Sequence, residues 1–282
     1  MKVRRPAYAG TFYEGTSQSL KSQIEECFRH ELGPKALPKV ADGQLKHSVG
    51  LISPHAGYMY SGPVAAHGYY NLALDGKPDL VVVCGPNHTG MGSALAIMRE
   101  GFWSTPLGNV EIDTATADAI RQASSVIDVD DSAHAREHSI EVQLPWLQYL
   151  YGSSFKFVPI CFLMQDLQSS REVGVAIAKA LKDKNALVIA STDMTHYEPQ
   201  KVAEKKDKAI IEEATKLDEE KLYSNVEALQ VSMCGYGPAI AAITAAKELG
   251  AKKGSLLCYK TSGDVVGDYS AVVGYASVIF TK

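Results

Sequence analysis

Short apolar, β-branched runs recur along the chain at Val49 to Ser53, Leu80 to Cys84, Ala94 to Met98, Phe155 to Ile160, Ala186 to Ala190, Ser255 to Tyr259 and Ala271 to Phe280. Most have the length and residue types of buried strands. Between several of them lie segments with helical spacing: Ser17 to Glu31, Ser139 to Tyr151, Leu167 to Leu181, Lys201 to Leu217 and Gly237 to Leu249. Strands that are apolar on both faces must be covered on both faces, so the alternation predicts an α/β sandwich with a central mixed, largely parallel sheet flanked by helices. No repeat of fixed period, low-complexity tract or Pro/Ser-rich linker divides the 282 residues. A single domain over residues 1–282 is therefore expected, although about 150 residues per domain would also allow two. The segment Gly33 to His47 is the most loop-like and is expected to join the first helix to the first sheet strand.

Composition narrows the function classes. With 46% hydrophobic and 21% charged residues and a formal net charge of -4, the chain has the make-up of an ordinary globular protein. Lysine plus arginine total 28 against 32 acidic residues, and no basic cluster is denser than Lys205, Lys206 and Lys208. That argues against nucleic acid as a partner. No window approaches the roughly 18 apolar residues of a membrane span, and no apolar stretch follows the charged N-terminus, so neither a membrane role nor export is expected. The five cysteines, Cys27, Cys84, Cys161, Cys234 and Cys258, are odd in number and form no C-x-x-C pair. A reducing cytoplasm fits that usage.

The chemistry is suggested by position. Three apolar runs each end in a polar segment that carries a histidine: His55 in PHAGY, His88 in PNHTG and His196 in TDMTHY. In parallel α/β sheets the loops leaving the carboxyl ends of the strands converge on one edge, where ligands bind. One such histidine is ordinary; three at equivalent positions are expected to meet. A fourth segment, Arg136 to Trp146, reads as the opening of an amphipathic helix, with His138 and Glu141 on one face. The other reading of that segment is that Glu137 and Glu141 only complement the positive end of the helix.

A fifth segment, MCGYGP, precedes a helix of small residues. Pro238 suits its first turn, and a helix N-terminus lowers a thiol pKa, which makes Cys234 the cysteine expected to act as ligand or nucleophile; the alternative is tight packing in a Gly-rich turn. The remaining four cysteines lie in apolar strands or an amphipathic helix and read as small hydrophobes. Imidazoles together with a thiolate or carboxylate suit iron, copper or zinc, whereas magnesium and calcium favour oxygen ligands. No G-x-S-x-G elbow, G-x-G-x-x-G turn or phosphate loop occurs in the chain.

These segments together resemble the Memo family, also labelled as the B component of the AmmeMemoRadiSam system. The resemblance runs through RRPAYAGTFYE, SPHAGYMYSGPVAAHGY, GPNHTG, STPLGNVEID, EHSIEVQLPWLQYL, PICF, ASTDMTHYEP, CGYGP and YKTSGDVVGDYSAVVGYAS. It implies a fold similar to the class III extradiol dioxygenases, with a metal pocket at the sheet edge. By motif, His55, His88 and Cys234 correspond to the family's metal ligands, and Asp193, His196, His138 and Glu141 would line the same pocket. The dioxygenases hold iron with two histidines and a carboxylate; here the matching third ligand is a thiol, which softens the site and favours iron or Cu(I). Family members are associated with copper- or iron-dependent redox activity and, in animals, with phosphotyrosine-bearing receptor peptides.

Two functions follow as expectations. In one, the chain is a non-haem metal-dependent oxidoreductase, with His196 or His138 moving protons and Asp193 or Glu141 orienting the imidazoles. In the other, the pocket binds a peptide or partner protein without turnover. A third reading, zinc hydrolysis, would need activity with zinc that does not depend on oxygen.

Overall fold

The computed structural model describes residues 2–282. Its strands are β1 (Val3–Arg4), β2 (Ser48–Ser53), β3 (Leu80–Pro86), β4 (Leu95–Ile97), β5 (Phe102–Thr105), β6 (Gly108–Glu111), β7 (Asp128–Val129), β8 (Lys156–Phe162), β9 (Ala186–Ser191), β10 (His196–Glu198), β11 (Lys253–Thr261) and β12 (Val272–Thr281). Its helices are α1 (Ser17–Arg29), α2 (Tyr58–Asp75), α3 (Thr114–Ala123), α4 (Leu144–Tyr151), α5 (Leu167–Leu181), α6 (Gln200–Lys216), α7 (Glu219–Ala228), α8 (Tyr236–Glu248) and α9 (Ser262–Val266). Among the described residues, none of these helices is long and apolar enough to cross a membrane.

Nine strands form one mixed sheet in the order β10-β12-β2-β9-β3-β8-β4-β7, with β11 also paired to β12. The middle of it, β2-β9-β3-β8, is parallel throughout, while β12 on β2 and β4 on β8 run antiparallel. The alternation of side chains along a strand divides the core into two layers. Val82 and Cys84 of β3, with Val188 and Ala190 of β9, face helices α3, α5, α6, α7 and α8. Val81, Val83, Leu187 and Ile189 point the other way, towards α1, α2 and α4. The expected architecture is therefore the observed one. The loop-like segment after α1 carries no regular element before β2.

Local capping fixes several boundaries that positioned the expected helices well. Thr16 caps α1 by accepting from the Ser19 amide at 3.2 Å, and Asp166 caps α5 by accepting from the Ser169 amide at 3.0 Å. The segment after Arg136 differs from expectation. Its α-helix starts only at Leu144, after a 3-10 turn over Glu141–Gln143. The backbone before it is committed elsewhere: the Ser139 amide donates to Glu137 Oε1 and the Ser139 carbonyl accepts from Ser191 Oγ. Helices α2, α3 and α7 and the small sheet β1-β5-β6 have no counterpart in the apolar runs. Helix α2 carries Pro63 in its interior together with Gly62 and Gly68, which weaken a helical signal; it is held by burial of Val64, Ala65, Tyr69 and Leu72.

Candidate metal centre

The site is a direct product of sheet order. Strands β2, β9 and β3 are neighbours and parallel, so their carboxyl ends open on the same edge. His55 follows β2 and His88 follows β3. Cys234 arrives from the other direction, just ahead of α8. The ligand atoms of His55, His88 and Cys234 all lie within 4.8 Å of one another, and could hold a metal ion. Cys234 Sγ stands 3.2 Å from His55 Nε2.

Hydrogen bonds to the far side of each ring fix which nitrogen faces the thiol. Ser191 Oγ donates its only proton to the Ser139 carbonyl at 2.5 Å and accepts from Gln143 Nε2 at 2.7 Å. It can therefore only accept from His55 Nδ1, 3.0 Å away. His88 Nδ1 lies 2.9 Å from Glu137 Oε1, a carboxylate oxygen that also only accepts. Both rings consequently carry a proton on Nδ1, and neutral His55 keeps Nε2 as a lone pair, the arrangement by which outer hydrogen bonds orient histidine ligands. Glu137 also takes the His88 amide on Oε2 at 2.6 Å and the Ser139 amide on Oε1 at 2.8 Å.

The charge states follow from burial. Burial, reinforced by His88, lowers His55 to about 3, and burial followed by His55 lowers His138 to about 3. Both rings are neutral at physiological pH, as ligands must be. Burial alone would raise Glu137, but hydrogen bonding and charge from His88, with His138 beyond it, outweigh that and hold the carboxyl at about 2. Cys234 reverses the expectation of a low thiol pKa. Burial, then the nearby charge of Asp193, push the thiol well above its usual range, outweighing the amide of Asp193 that donates to Sγ at 3.3 Å. A thiol held protonated in this way becomes a thiolate when a cation binds.

Of the other expected residues, Asp193 is 4% exposed and accepts the His55 amide at 2.7 Å. It fixes the loop that carries His55. The His138 ring stacks on His88 with centroids 4.5 Å apart and also meets Phe12, tilted, at 4.5 Å. His196 begins β10, and its Nδ1 lies 2.8 Å from the Ser232 carbonyl. That carbonyl can only accept, so Nδ1 bears a proton.

Glu141 departs from the expected geometry. It is fully buried but does not orient an imidazole. Its oxygens take Arg4 Nη1 at 2.6 Å, the amides of Ala7 and Tyr8 at 2.9 Å each and the Tyr13 hydroxyl at 2.7 Å. The carboxylate that orients an imidazole of the cluster, His88, is Glu137, for which the sequence offers only a place at a helix end. The adjacency of Glu137 to His138 was the one signal for it.

The fold and site together define an α/β sandwich protein with a candidate metal centre at the carboxyl edge of its sheet. The chain belongs to the Memo family, whose description, Memo-like protein, matches residues 4–279. It is 56% identical to a MEMO1 family protein of Methanopyrus kandleri over 99% of each chain. Against a MEMO1 family protein of Methanothermobacter thermautotrophicus it is 51% identical, over 97% of this chain and 99% of the other. Against one of Sulfolobus acidocaldarius it is 48% identical over 99% of each. Among solved structures, an uncharacterized protein of Escherichia coli K12 superposes with a TM-score of 0.56 at 14% identity, covering 82% of this chain and 99% of that one. At that identity the likeness concerns the fold alone.

Proposed function

We propose that the chain carries a transition-metal redox centre in which His55 Nε2, His88 Nε2 and Cys234 Sγ hold one ion. The observation that carries this reading is the pair of outer hydrogen bonds: Ser191 and Glu137 each fix a proton on Nδ1 of His55 and His88, and so leave Nε2 of each ring as the atom for a metal. One thiol and two imidazoles are a soft to borderline donor set, which favours iron or copper, with zinc compatible with the same ligands. Iron or copper held there would supply one-electron exchange with a small molecule admitted at the open side of the site.

The chain's own residues supply the rest. Asp193 holds the His55 loop through its amide and Glu137 holds His88, while His196, whose Nδ1 is taken by the Ser232 carbonyl, would move protons through Nε2. Neutral His138 packs against both His88 and Phe12 and would line the approach to the ion with aromatic surface.

The test is anaerobic metal analysis after loading with Fe(II), Cu(I) or Zn, on wild type, His55→Ala and Cys234→Ser. About one equivalent of iron or copper in wild type, lost in both variants, is the expected result. Variants that bind as well as wild type would overturn the site. Oxygen consumption that requires iron or copper and vanishes in His55→Ala then establishes redox turnover, whereas activity with zinc alone would point to hydrolysis.

A second reading, a pocket that binds a peptide or partner protein without turnover, is favoured by one observation. Met59, Met91, Leu163 and Tyr197 are 65%, 46%, 44% and 78% exposed, and they follow the carboxyl ends of β2, β3, β8 and β9 in the chain. Scattered exposed apolar residues are ordinary, but several around one mouth suit a binding rim. This reading expects a partner retained equally by His55→Ala; loss of the partner with the metal would count against it.

A further inference from the structure

The turn that delivers Cys234 has an anomaly at its helix. Helix α8 is preceded by Gly235, which has no side chain to cap the first-turn amides, and no side-chain cap comes from that position. Pro238 removes one of the orphan donors, but the Gly237 amide still needs an acceptor. It finds one outside its own segment: Gln165, in the loop between β8 and α5, accepts from the Gly237 amide on Oε1 at 2.8 Å. The other end of the same side chain, Nε2, donates to the Cys234 carbonyl at 2.9 Å. The amide orientation is unambiguous, because one partner only donates and the other only accepts.

One side chain thus spans the bend at Gly235. The opposite side of the bend is fixed by the end of β9, where the Gly235 amide donates to Thr192 Oγ1 at 2.9 Å and the Asp193 amide donates to Cys234 Sγ at 3.3 Å. Both glycines of CGYGP answer to these contacts. A Cβ on Gly235 would lie 2.7 Å from the Ser191 carbonyl oxygen, and one on Gly237 would lie 2.8 Å from Gln165 Cβ. The backbone of Cys234 is pressed between two supports, and its sulfur is left with a single rotatable bond to set.

We propose that Gln165 is a positioning residue for Cys234, fixing where the sulfur stands relative to His55 and His88. The proposal rests on the reading of Cys234 as a metal ligand. Gln165 is only partly buried, so its replacement leaves the core intact.

The experiment compares wild type, Gln165→Leu, which loses both hydrogen bonds, and Gln165→Glu, which keeps an acceptor for Gly237 but cannot donate to the Cys234 carbonyl. Two readouts are taken: anaerobic Co(II) titration followed at the thiolate-to-cobalt charge-transfer band, and the rate of Cys234 alkylation by iodoacetamide without metal, resolved by peptide mass spectrometry. The expected result is Co(II) affinity lower by about 10- to 100-fold in both variants, the range for outer partners of metal ligands, with an altered band and several-fold faster alkylation. A wild-type band that both variants reproduce at wild-type affinity would overturn the role of Gln165 while leaving the metal site standing. Absence of the band in wild type would overturn the ligand reading instead; alkylation alone then decides, with equal rates in all three proteins overturning the positioning role and faster rates in the variants supporting it.

Discussion

Glu137 and Glu141 lie four positions apart, both fully buried, and serve opposite regions of the molecule. On the side of Glu137 the partners are two imidazoles, His88 and His138, and the Ser139 amide. On the side of Glu141 the partner is a guanidinium. Arg4 donates to Glu141, to the His134 carbonyl at 2.7 Å and to the Glu137 carbonyl at 2.8 Å, and lies over the Trp103 ring at 4.0 Å. The first region is an orienting device that leaves ring nitrogens available, while the second is a closed clasp that ties the N-terminal segment down and leaves nothing available. A buried carboxylate takes its role from its partner, not from its own chemistry.

The largest effect that would break this contrast is on stability. Glu141→Ala leaves Arg4 buried without its counter-charge, and the expected cost is about 3–5 kcal/mol, measured by urea or thermal unfolding; a loss under 1 kcal/mol would show that the clasp is not a clasp. Next comes acid sensitivity in the same segment. Burial, then the Arg4 guanidinium, hold His134 at about 3 against 6.5 for a free histidine. Above 6.5 both folded and unfolded states keep it neutral. As pH falls from there towards 3, the unfolded chain takes up a proton that the folded chain refuses, so stability is lost at about 1.4 kcal/mol per pH unit. His134→Leu is expected to unfold with a shallower acid slope by about that amount, and an unchanged slope would assign the loss to other groups.

Smaller in energy but specific to the other region, Glu137→Gln is expected to weaken metal binding by about 10- to 100-fold, measured by competition with a chelator, with far less loss of stability than Glu141→Ala. Equal unfolding losses in the two variants would erase the distinction. The smallest effect is expected for Phe12→Leu, which removes the ring packed on His138 and should cost about 1 kcal/mol. It links the two regions, since the segment tied by Glu141 is the one that lays Phe12 against the site.

The central strands β2, β3 and β9 were legible because each is apolar on both faces, and they fall where their runs do. Helix α5 was legible to the residue, because its cap and its spacing agree. Helix α2 was not, since its glycines and Pro63 hide a helix that exists by burial against the sheet. In the candidate site, the three side chains that meet are marked in the sequence by position, His55 and His88 after a strand and Cys234 before a helix. The sequence favours Glu141 over Glu137 because the spacing of the segment is that of a regular helix through both. Tertiary hydrogen bonds at Ser139 replace that helix with a turn, which sends the two carboxylates in different directions.

The sequence by itself determined the α/β sandwich, the family, and the histidines at the ends of buried strands, because periodicity and strand-end position are local properties of the chain. Only the tertiary structure decided that β9 lies between β2 and β3, that Ser191 and Glu137 hold a proton on Nδ1 of His55 and His88, and that the Cys234 thiol is raised and not lowered. Those depend on which groups, distant in sequence, enclose one another, and both burial and hydrogen bonding act through that enclosure.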